Sequence, residues 1–146
     1  MGRISFLIVS FLVCALKVFS QDLEGKWVGS FTDKSLNYGQ TKHTINFNFY
    51  RLSDSSFEAW SKTFMEFDNH TDSTVCFLRG GFSHKNILYL EETKVIQPLS
   101  DKSTELCLQF MKLYYLKRKK QLILIGDWYT EENKCGYGSI ELRKKL

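Results

Sequence analysis

The segment HTINFNFY, residues 43–50, has the cleanest repeating pattern in this chain. Ile45, Phe47 and Phe49 alternate there with polar residues, so one face is apolar and the other is polar. Successive side chains of a β-strand point to opposite faces, and this period of two predicts a strand with one buried and one solvated face. The segment therefore predicts a sheet that covers a core on one side.

Seven further runs with the composition typical of β-strands lie before and after this segment, and no sustained helical period lies between them. The eight predicted strands are residues 25–31, 43–50, 57–64, 74–82, 87–95, 105–116, 121–129 and 137–143. Gly80 and Gly81 predict a bend or bulge in the fourth strand. Eight antiparallel strands of this length close a small barrel, which either fills with side chains or holds one small ligand. The sequence predicts an all-β fold, a single antiparallel up-and-down β-barrel of about eight strands, with a two-sheet β-sandwich as the alternative.

The first twenty residues have the pattern of a cleaved secretory signal. Arg3 supplies a positive start, an apolar run follows over residues 4–16, and Ser20 precedes the predicted cleavage point. The apolar run is too short for a comfortable transmembrane helix. We therefore expect a signal peptide over residues 1–20, one β-barrel domain over residues 21–146 without a transmembrane segment, and a secreted or periplasmic location.

The charge balance argues against nucleic acid as a partner. The chain carries 20 Lys and Arg against 16 Asp and Glu, a formal net charge of +4, and two of the basic residues lie in the predicted signal. A nucleic-acid-binding domain would show a much stronger basic excess. The aromatic content of 15% and the single proline, Pro98, suit a sheet-rich domain instead.

Three cysteines, Cys76, Cys107 and Cys135, remain after the predicted cleavage. In a simple meander the starts of the fourth, sixth and eighth strands lie at one end of the barrel, here called the cysteine end. Cys107 and Cys135 are neighbours there, so we expect them to form the disulfide of an exported chain. Cys76 is then the odd thiol, interpreted as a small buried hydrophobe, with a reactive or intermolecular thiol as the alternative.

The same meander collects basic turn residues at the opposite end, here called the basic end. The predicted basic rim comprises His84, Lys85, Lys117, Arg118, Lys119, Lys120 and Arg143. Two interpretations remain open: solvated turns, or a binding site for an anionic ligand or an anionic partner surface.

The segment LEGKW, residues 23–27, precedes and opens the first strand. It resembles the Gly-x-Trp signature of lipocalins and the Gly-Lys-Trp of avidin-like proteins. The resemblance covers the first and last strands, about a fifth of the chain, and the lipocalin Thr-Asp-Tyr motif is absent. It implies that Trp27 closes one end of a ligand-binding barrel and that a basic residue of the last strand, here Arg143, packs on it by a cation–π contact.

The titratable residues form no recognisable catalytic or metal motif. Glu91 and Glu92 are adjacent in a predicted strand, so they point to opposite faces and do not act together on one substrate. An inward acid would orient a polar ligand group or pair with Arg79; the alternative is a charged residue near a strand end. The three histidines lack metal-ligand spacing. The sequence therefore predicts no catalytic residue, no metal and no cofactor, although an enzyme assembled in space remains an open alternative.

Function is predicted from the barrel itself. We expect an exported, non-catalytic, lipocalin-like barrel that binds a small apolar or amphipathic ligand. The predicted lining residues are Trp27, Phe47, Phe49, Tyr89, Phe110, Leu124 and Trp128. The alternative is a filled-core structural or protein-interaction module of the cell envelope or secreted space. It would use the basic rim or the outer apolar faces of the sixth and seventh strands.

Overall fold

The computed structural model describes residues 22–34, 41–67, 70–84, 86–100 and 107–145, so the predicted signal peptide lies outside the described residues. The strands, in chain order, are β1 (Gly25–Asp33), β2 (Thr41–Arg51), β3 (Ser56–Phe67), β4 (His70–His84), β5 (Ile87–Gln97), β6 (Gln109–Arg118), β7 (Gln121–Thr130) and β8 (Tyr137–Lys145). A short 3-10 helix, Glu131–Asn133, lies between β7 and β8. Among all the described residues, no helix is long and apolar enough to cross a membrane.

The eight strands close into one antiparallel barrel in simple chain order. Each strand pairs with the next, and β1 pairs with β8 to complete the ring. The predicted up-and-down barrel is confirmed, and the sandwich alternative is wrong because β1 and β8 close the sheet. The strands are mostly longer than predicted. The exception is β6, which begins at Gln109; residues 107 and 108 are not in a strand, and the predicted positions 105 and 106 lie outside the described residues.

The alternation of apolar and polar residues in β2 places its apolar side chains in the core, as predicted. Ile45, Phe47 and Phe49 are buried, and the residues between them are more exposed. Each of the remaining seven strands also contributes buried side chains to the same cluster. This cluster includes Trp27, Phe31, Phe57, Ala59, Leu78, Leu88, Leu90, Met111, Leu113, Tyr115, Leu122, Leu124, Trp128, Ile140 and Leu142. Burial of this apolar surface is the main force that holds the ring closed.

The chain before β1 closes the basic end of the barrel. Leu23 is completely buried there, and the indole N–H of Trp27 donates a 2.7 Å hydrogen bond to the Leu23 carbonyl oxygen. Trp27 also packs edge-on against Phe49, with ring centroids 6.2 Å apart. The LEGKW segment therefore forms a plug, with the tryptophan at its centre.

The basic residue that completes this plug is Lys144 and not Arg143. The Lys144 ammonium group donates hydrogen bonds to the carbonyl oxygens of Asp22 and Glu24. Arg143 lies on the outer face and pairs with Glu141 at 2.6 Å. The cation–π contact predicted for Arg143 is therefore wrong. Adjacent strand residues face opposite sides, and only Lys144 shares the inward face of Leu142.

The irregularities of the sheet lie near Gly80 and Gly81 and not at them. Register shifts between β4 and β5 occur at Val75/Cys76, Phe77/Leu78 and Phe82/His84. A Cβ atom on Gly80 would lie 1.9 Å from the Tyr89 carbonyl oxygen, so this glycine permits close approach of the two strands. Gly80 and Gly81 themselves pair regularly with Leu90 and Tyr89, so the predicted bulge does not lie at the glycine pair; the three register shifts lie before and after it.

A disulfide joins Cys107 to Cys135, with Cα atoms 6.0 Å apart. It links the segment before β6 to the segment before β8, which the meander brings together at the cysteine end. Cys76 is the free, buried thiol. The cysteine assignment predicted from the meander therefore agrees with the structure.

Candidate functional site

The barrel interior becomes polar toward the cysteine end. Ser61 follows Phe57 and Ala59 on the inward face of β3, and Glu92 follows the inward Leu88 and Leu90 of β5. We call this set the interior polar cluster: His43, Ser61, Thr63, Thr74, Cys76 and Glu92. All of these residues except His43 are buried. The alternation that buries apolar side chains at the basic end thus buries polar ones at the cysteine end.

Glu92 is the buried carboxyl group of this cluster, with only 5% of the residue exposed. The backbone N–H of Gln109 donates a 3.1 Å hydrogen bond to its Oε2 atom. This contact lies just beyond the last paired positions of β5 and β6, Glu91 and Phe110. Burial raises the pKa of Glu92 from its ordinary value of 4.5 to about 7. The carboxyl group is therefore poised between its neutral and charged forms near neutral pH.

Cys76 lies close to Glu92, and the two side chains influence each other's pKa. Burial first, and the nearby Glu92 charge second, raise the pKa of the Cys76 thiol to about 12. The sulfur is therefore a neutral thiol at physiological pH and a poor nucleophile. The Thr74 hydroxyl is occupied nearby, since it donates a 2.8 Å hydrogen bond to the Gln97 carbonyl oxygen.

His43 lies near the start of β2, on the same inward face as Ile45. Its ring packs against Phe31, with centroids 4.9 Å apart. Desolvation by burial lowers the pKa of His43, so the ring is neutral at pH 7. Its buried Nδ1 atom has no hydrogen-bond partner among the described residues. A buried polar atom without a partner is uncommon, so this nitrogen is a candidate contact for a ligand group.

Phe31 and Trp128, which we call the aromatic wall, lie on β1 and β7, on the other side of the barrel from the cluster residues of β3, β4 and β5. The Trp128 indole N–H donates a 3.0 Å hydrogen bond to the Thr32 carbonyl oxygen, which holds the ring across β8. Phe31 packs edge-on against it, with centroids 5.5 Å apart. A Cβ atom on Gly138 would lie 2.7 Å from the Trp128 Nε1 atom, so the glycine makes room for the indole. Strands β7 and β8 lie opposite β3 and β4 in the ring, so the interior at this end is amphipathic.

The predicted lining residues divide into three groups. Trp27, Phe47, Phe49 and Leu124 lie in the packed core, and Trp128 lies in the aromatic wall. Tyr89 and Phe110 are wrong as lining residues. Tyr89 is exposed on the outer face between the inward Leu88 and Leu90, and Phe110 lies outside because the inward residue there is Met111.

The outer face of β6, β7 and β8 carries an aromatic row. Phe110 stacks on Tyr129 with ring centroids 5.6 Å apart, and Tyr129 is paired in register with Tyr137 of β8. Both tyrosines are exposed. We call Phe110, Tyr129 and Tyr137 the outer aromatic row.

The basic rim is partly neutralised by acids of the same chain. Lys117 pairs with Asp22 at 2.8 Å, and Arg143 pairs with Glu141. The backbone of His84 ends β4, while its side chain and all of Lys85 lie outside the described residues. The remaining rim residues Arg118, Lys119 and Lys120 are exposed in and beside the β6–β7 turn.

Glu91 and Glu92 face opposite sides, as their adjacency predicts. Arg79 pairs with the outward Glu58 at 3.0 Å, so the predicted alternative of an inward pairing with Arg79 is wrong. Across the described ranges, no group of three or more His, Cys, Asp or Glu side chains is arranged to hold a metal ion.

Comparison with known proteins supports the fold alone. No family model matches the chain, and no curated protein matches it significantly. One similar solved structure is a redesigned β-barrel, b11L5F_LGL, with a TM-score of 0.56 and 12% identity; the match covers 87% of this chain and 94% of that one. Another is EF1p2_mFAP2b bound to DFHBI, with a TM-score of 0.56 and 9% identity; the match covers 86% of this chain and 95% of that one.

Proposed function

We propose that this chain is a non-catalytic, exported, lipocalin-like barrel that binds a small apolar or amphipathic ligand at the cysteine end of its interior. The observation that carries the proposal is the interior polar cluster opposite the aromatic wall. A barrel that serves only as a filled scaffold gains nothing from a buried carboxyl group and an unpartnered imidazole nitrogen, since burial of polar groups costs free energy. Ligand sites, in contrast, combine apolar walls with a few convergent polar groups.

Two further observations support this proposal. A structural neighbour of the same barrel shape, EF1p2_mFAP2b, is bound to the small molecule DFHBI. In addition, the LEGKW segment forms the plug at the basic end, and plugging one end by a tryptophan is what the resemblance to lipocalins and avidin-like proteins implies. A barrel closed at one end and polar at the other can admit a ligand only from the polar end.

A neutral environment-sensitive dye, Nile red, tests the location of the site. We expect the wild-type protein to bind the dye and Ser61→Leu to lose that binding, because leucine fills the interior at the polar cluster. Lys62→Leu is the matched control: the same side chain enters one position along β3, on the outer face. Equal dye binding by the two variants, or an empty wild-type protein that binds no dye, would contradict the proposal.

The proposal includes removal of residues 1–20 during export. The Cys107–Cys135 disulfide is compatible with an oxidising compartment. Intact-mass measurement of protein recovered from the culture medium or periplasm tests the cleavage, with a chain that starts at Gln21 as the expected product. An unprocessed chain retained in the cytoplasm would contradict this part of the proposal.

A second candidate function is protein interaction through the outer surface. The exposed tyrosines of the outer aromatic row favour it, because exposed aromatic residues are enriched at interfaces. The basic rim supports it less, since Lys117 and Arg143 are already paired within the chain. Sedimentation velocity on wild type and Tyr129→Ser tests the simplest case, self-association, which would show a concentration-dependent mass in the wild type only.

A further inference from the structure

The interior polar cluster contains a buried carboxyl group, Glu92, and no cation that pairs with it among the described residues. Among the described residues, the ion pairs join Arg51 to Asp54, Arg79 to Glu58, Lys117 to Asp22, Lys134 to Glu132 and Arg143 to Glu141. All of them lie on outer faces or in turns, and none includes Glu92. Among the described residues, the Glu92 carboxyl group accepts a hydrogen bond from the backbone N–H of Gln109 and lies close to the Cys76 thiol, and both of these groups are neutral.

The other titratable groups of the cluster do not compensate the charge of an ionised Glu92. Cys76 is a neutral thiol and His43 a neutral ring near pH 7, for the reasons given above. A charged carboxylate in such surroundings is strongly disfavoured unless a cation pairs with it. A ligand cation would therefore gain from Glu92, whereas an anionic ligand would be repelled and a neutral one would gain only a hydrogen bond.

The wall opposite Glu92 determines what the rest of such a ligand should look like. Phe31, Trp128 and Ile140 are buried apolar side chains on β1, β7 and β8. Since the Trp128 N–H is already bonded to Thr32, this wall offers ring faces and edges and no free donor. An apolar or aromatic body packs well against such a surface.

From this arrangement, we propose that the ligand is a small amphipathic amine, whose ammonium group pairs with Glu92 and whose apolar body packs against Phe31 and Trp128. The inference rests on the proposed function and names the ligand class of that same site. Glu92 also accepts the backbone N–H of Gln109, so its replacement must keep an acceptor there. Glutamine does so, and it removes only the charge.

Three ligands of similar size separate charge from shape: 2-phenylethylamine, 2-phenylethanol and 3-phenylpropionate. Their affinities are measured by titration calorimetry at pH 8, where Glu92 is mostly ionised and the amine is still protonated. We expect the amine to bind wild type at least roughly tenfold more tightly than the alcohol, and the carboxylate to bind most weakly. Glu92→Gln should abolish the advantage of the amine and leave the alcohol unchanged. Glu91→Gln, one position along on the outer face, should retain it.

An amine that binds wild type no more tightly than the alcohol, or an advantage that survives Glu92→Gln, overturns the amine inference. So does failure of all three ligands to bind. If Glu92→Gln does not fold, as judged by circular dichroism, the ranking of the three ligands on wild type decides by itself. The difference in Nile red binding between Ser61→Leu and Lys62→Leu tests the proposed function separately. Dye binding without amine preference would leave the interior site standing and remove only this ligand class.

Discussion

The two ends of this barrel are built from the same strands and differ in what those strands turn inward. At the basic end, Trp27 and Leu23 are completely buried and the chain before β1 closes the opening. At the cysteine end, the inward positions carry Ser61, Cys76 and Glu92 beside an aromatic wall. The first arrangement maximises apolar burial, and the second leaves polar groups in costly surroundings.

This difference indicates a division of labour along one barrel. Proteins concentrate departures from favourable packing at functional sites and compensate for them elsewhere in the fold. We therefore expect substitutions in the plug at the basic end to lower stability, and substitutions in the interior polar cluster to change ligand binding and the pH dependence of stability. Four predictions, taken from the largest expected effect to the smallest, test this division.

The largest loss of stability should come from Trp27→Ala at the basic end. The indole is completely buried, packs on Phe49 and bonds to Leu23, so its removal leaves a large cavity and opens the plug. We expect the free energy of unfolding to fall by about 3–5 kcal/mol, measured by urea denaturation. Trp60→Ala, on the exposed outer face, should cost much less. Similar losses for the two variants would contradict the assignment of the basic end as the stabilising end.

Removal of the disulfide should destabilise the protein almost as much. Cys107 and Cys135 are 28 residues apart, and closing a loop of this length stabilises by about 3.5 kcal/mol in the chain-entropy model. The double variant Cys107→Ser/Cys135→Ser should lose that amount in urea denaturation. A reducing agent should destabilise wild type and leave the double variant unchanged. A reducing agent that destabilises both proteins equally would indicate that it acts through Cys76 and not through this disulfide.

The pH dependence of stability should identify Glu92. Its pKa rises from 4.5 to about 7 on folding, so between those values the folded state binds the proton more tightly than the unfolded state. The free energy of unfolding therefore falls as the pH rises from 4.5 to 7 and stays lower above that range, by a total on the order of 3 kcal/mol. Glu92→Gln removes this dependence and should be more stable than wild type at pH 8.

The measurement is urea denaturation of wild type and Glu92→Gln at pH 4, 6 and 8. His43 has a lowered pKa and contributes in the opposite direction below its ordinary value, but it does so in both proteins and cancels in the difference. Glu91→Gln should parallel wild type at every pH. A constant difference between wild type and Glu92→Gln across this range would show that Glu92 is not a strained carboxyl group.

The smallest expected effect on stability concerns Arg143 and Lys144, two adjacent basic residues of β8 that should differ in their contribution. Lys144→Met removes the hydrogen bonds to the carbonyl oxygens of Asp22 and Glu24, and we expect a loss of about 1–2 kcal/mol. Arg143→Met breaks only an exposed ion pair, which contributes little. Thermal unfolding of the two variants makes the comparison. A larger effect for Arg143 would contradict the structure of the plug.

Prediction from sequence succeeded where one local pattern sufficed. The alternation of Ile45, Phe47 and Phe49 predicted both the strand and its buried face. It failed in β6, where apolar residues occur on both faces and the pattern does not reveal that Met111, and not Phe110, points inward. When both faces of a strand are apolar, periodicity does not distinguish them, and only the register with the neighbouring strands decides.

The candidate site was harder to predict because its residues are individually ordinary. Ser61, Thr63 and Thr74 are common strand residues, and their meaning comes from their inward position near one end. One pattern in the sequence does point to the site: in each strand, every second residue continues to face inward beyond the last apolar residue. Following Leu88 and Leu90 by two positions reaches Glu92, and the register shift comes only after it.

The amino-acid sequence was enough to predict the all-β class, the strand order and the cysteine pair, because each depends on local alternation or on the order of elements along the chain; the plug was implied by the resemblance of LEGKW to lipocalins and avidin-like proteins. Which of two adjacent residues points inward is visible only in the closed barrel, at Glu91/Glu92, Phe110/Met111 and Arg143/Lys144. The physical reason is that a strand has two equivalent faces until its neighbours are in place. Closure of the ring then makes one face the interior and turns a single position into a buried charge or an exposed one.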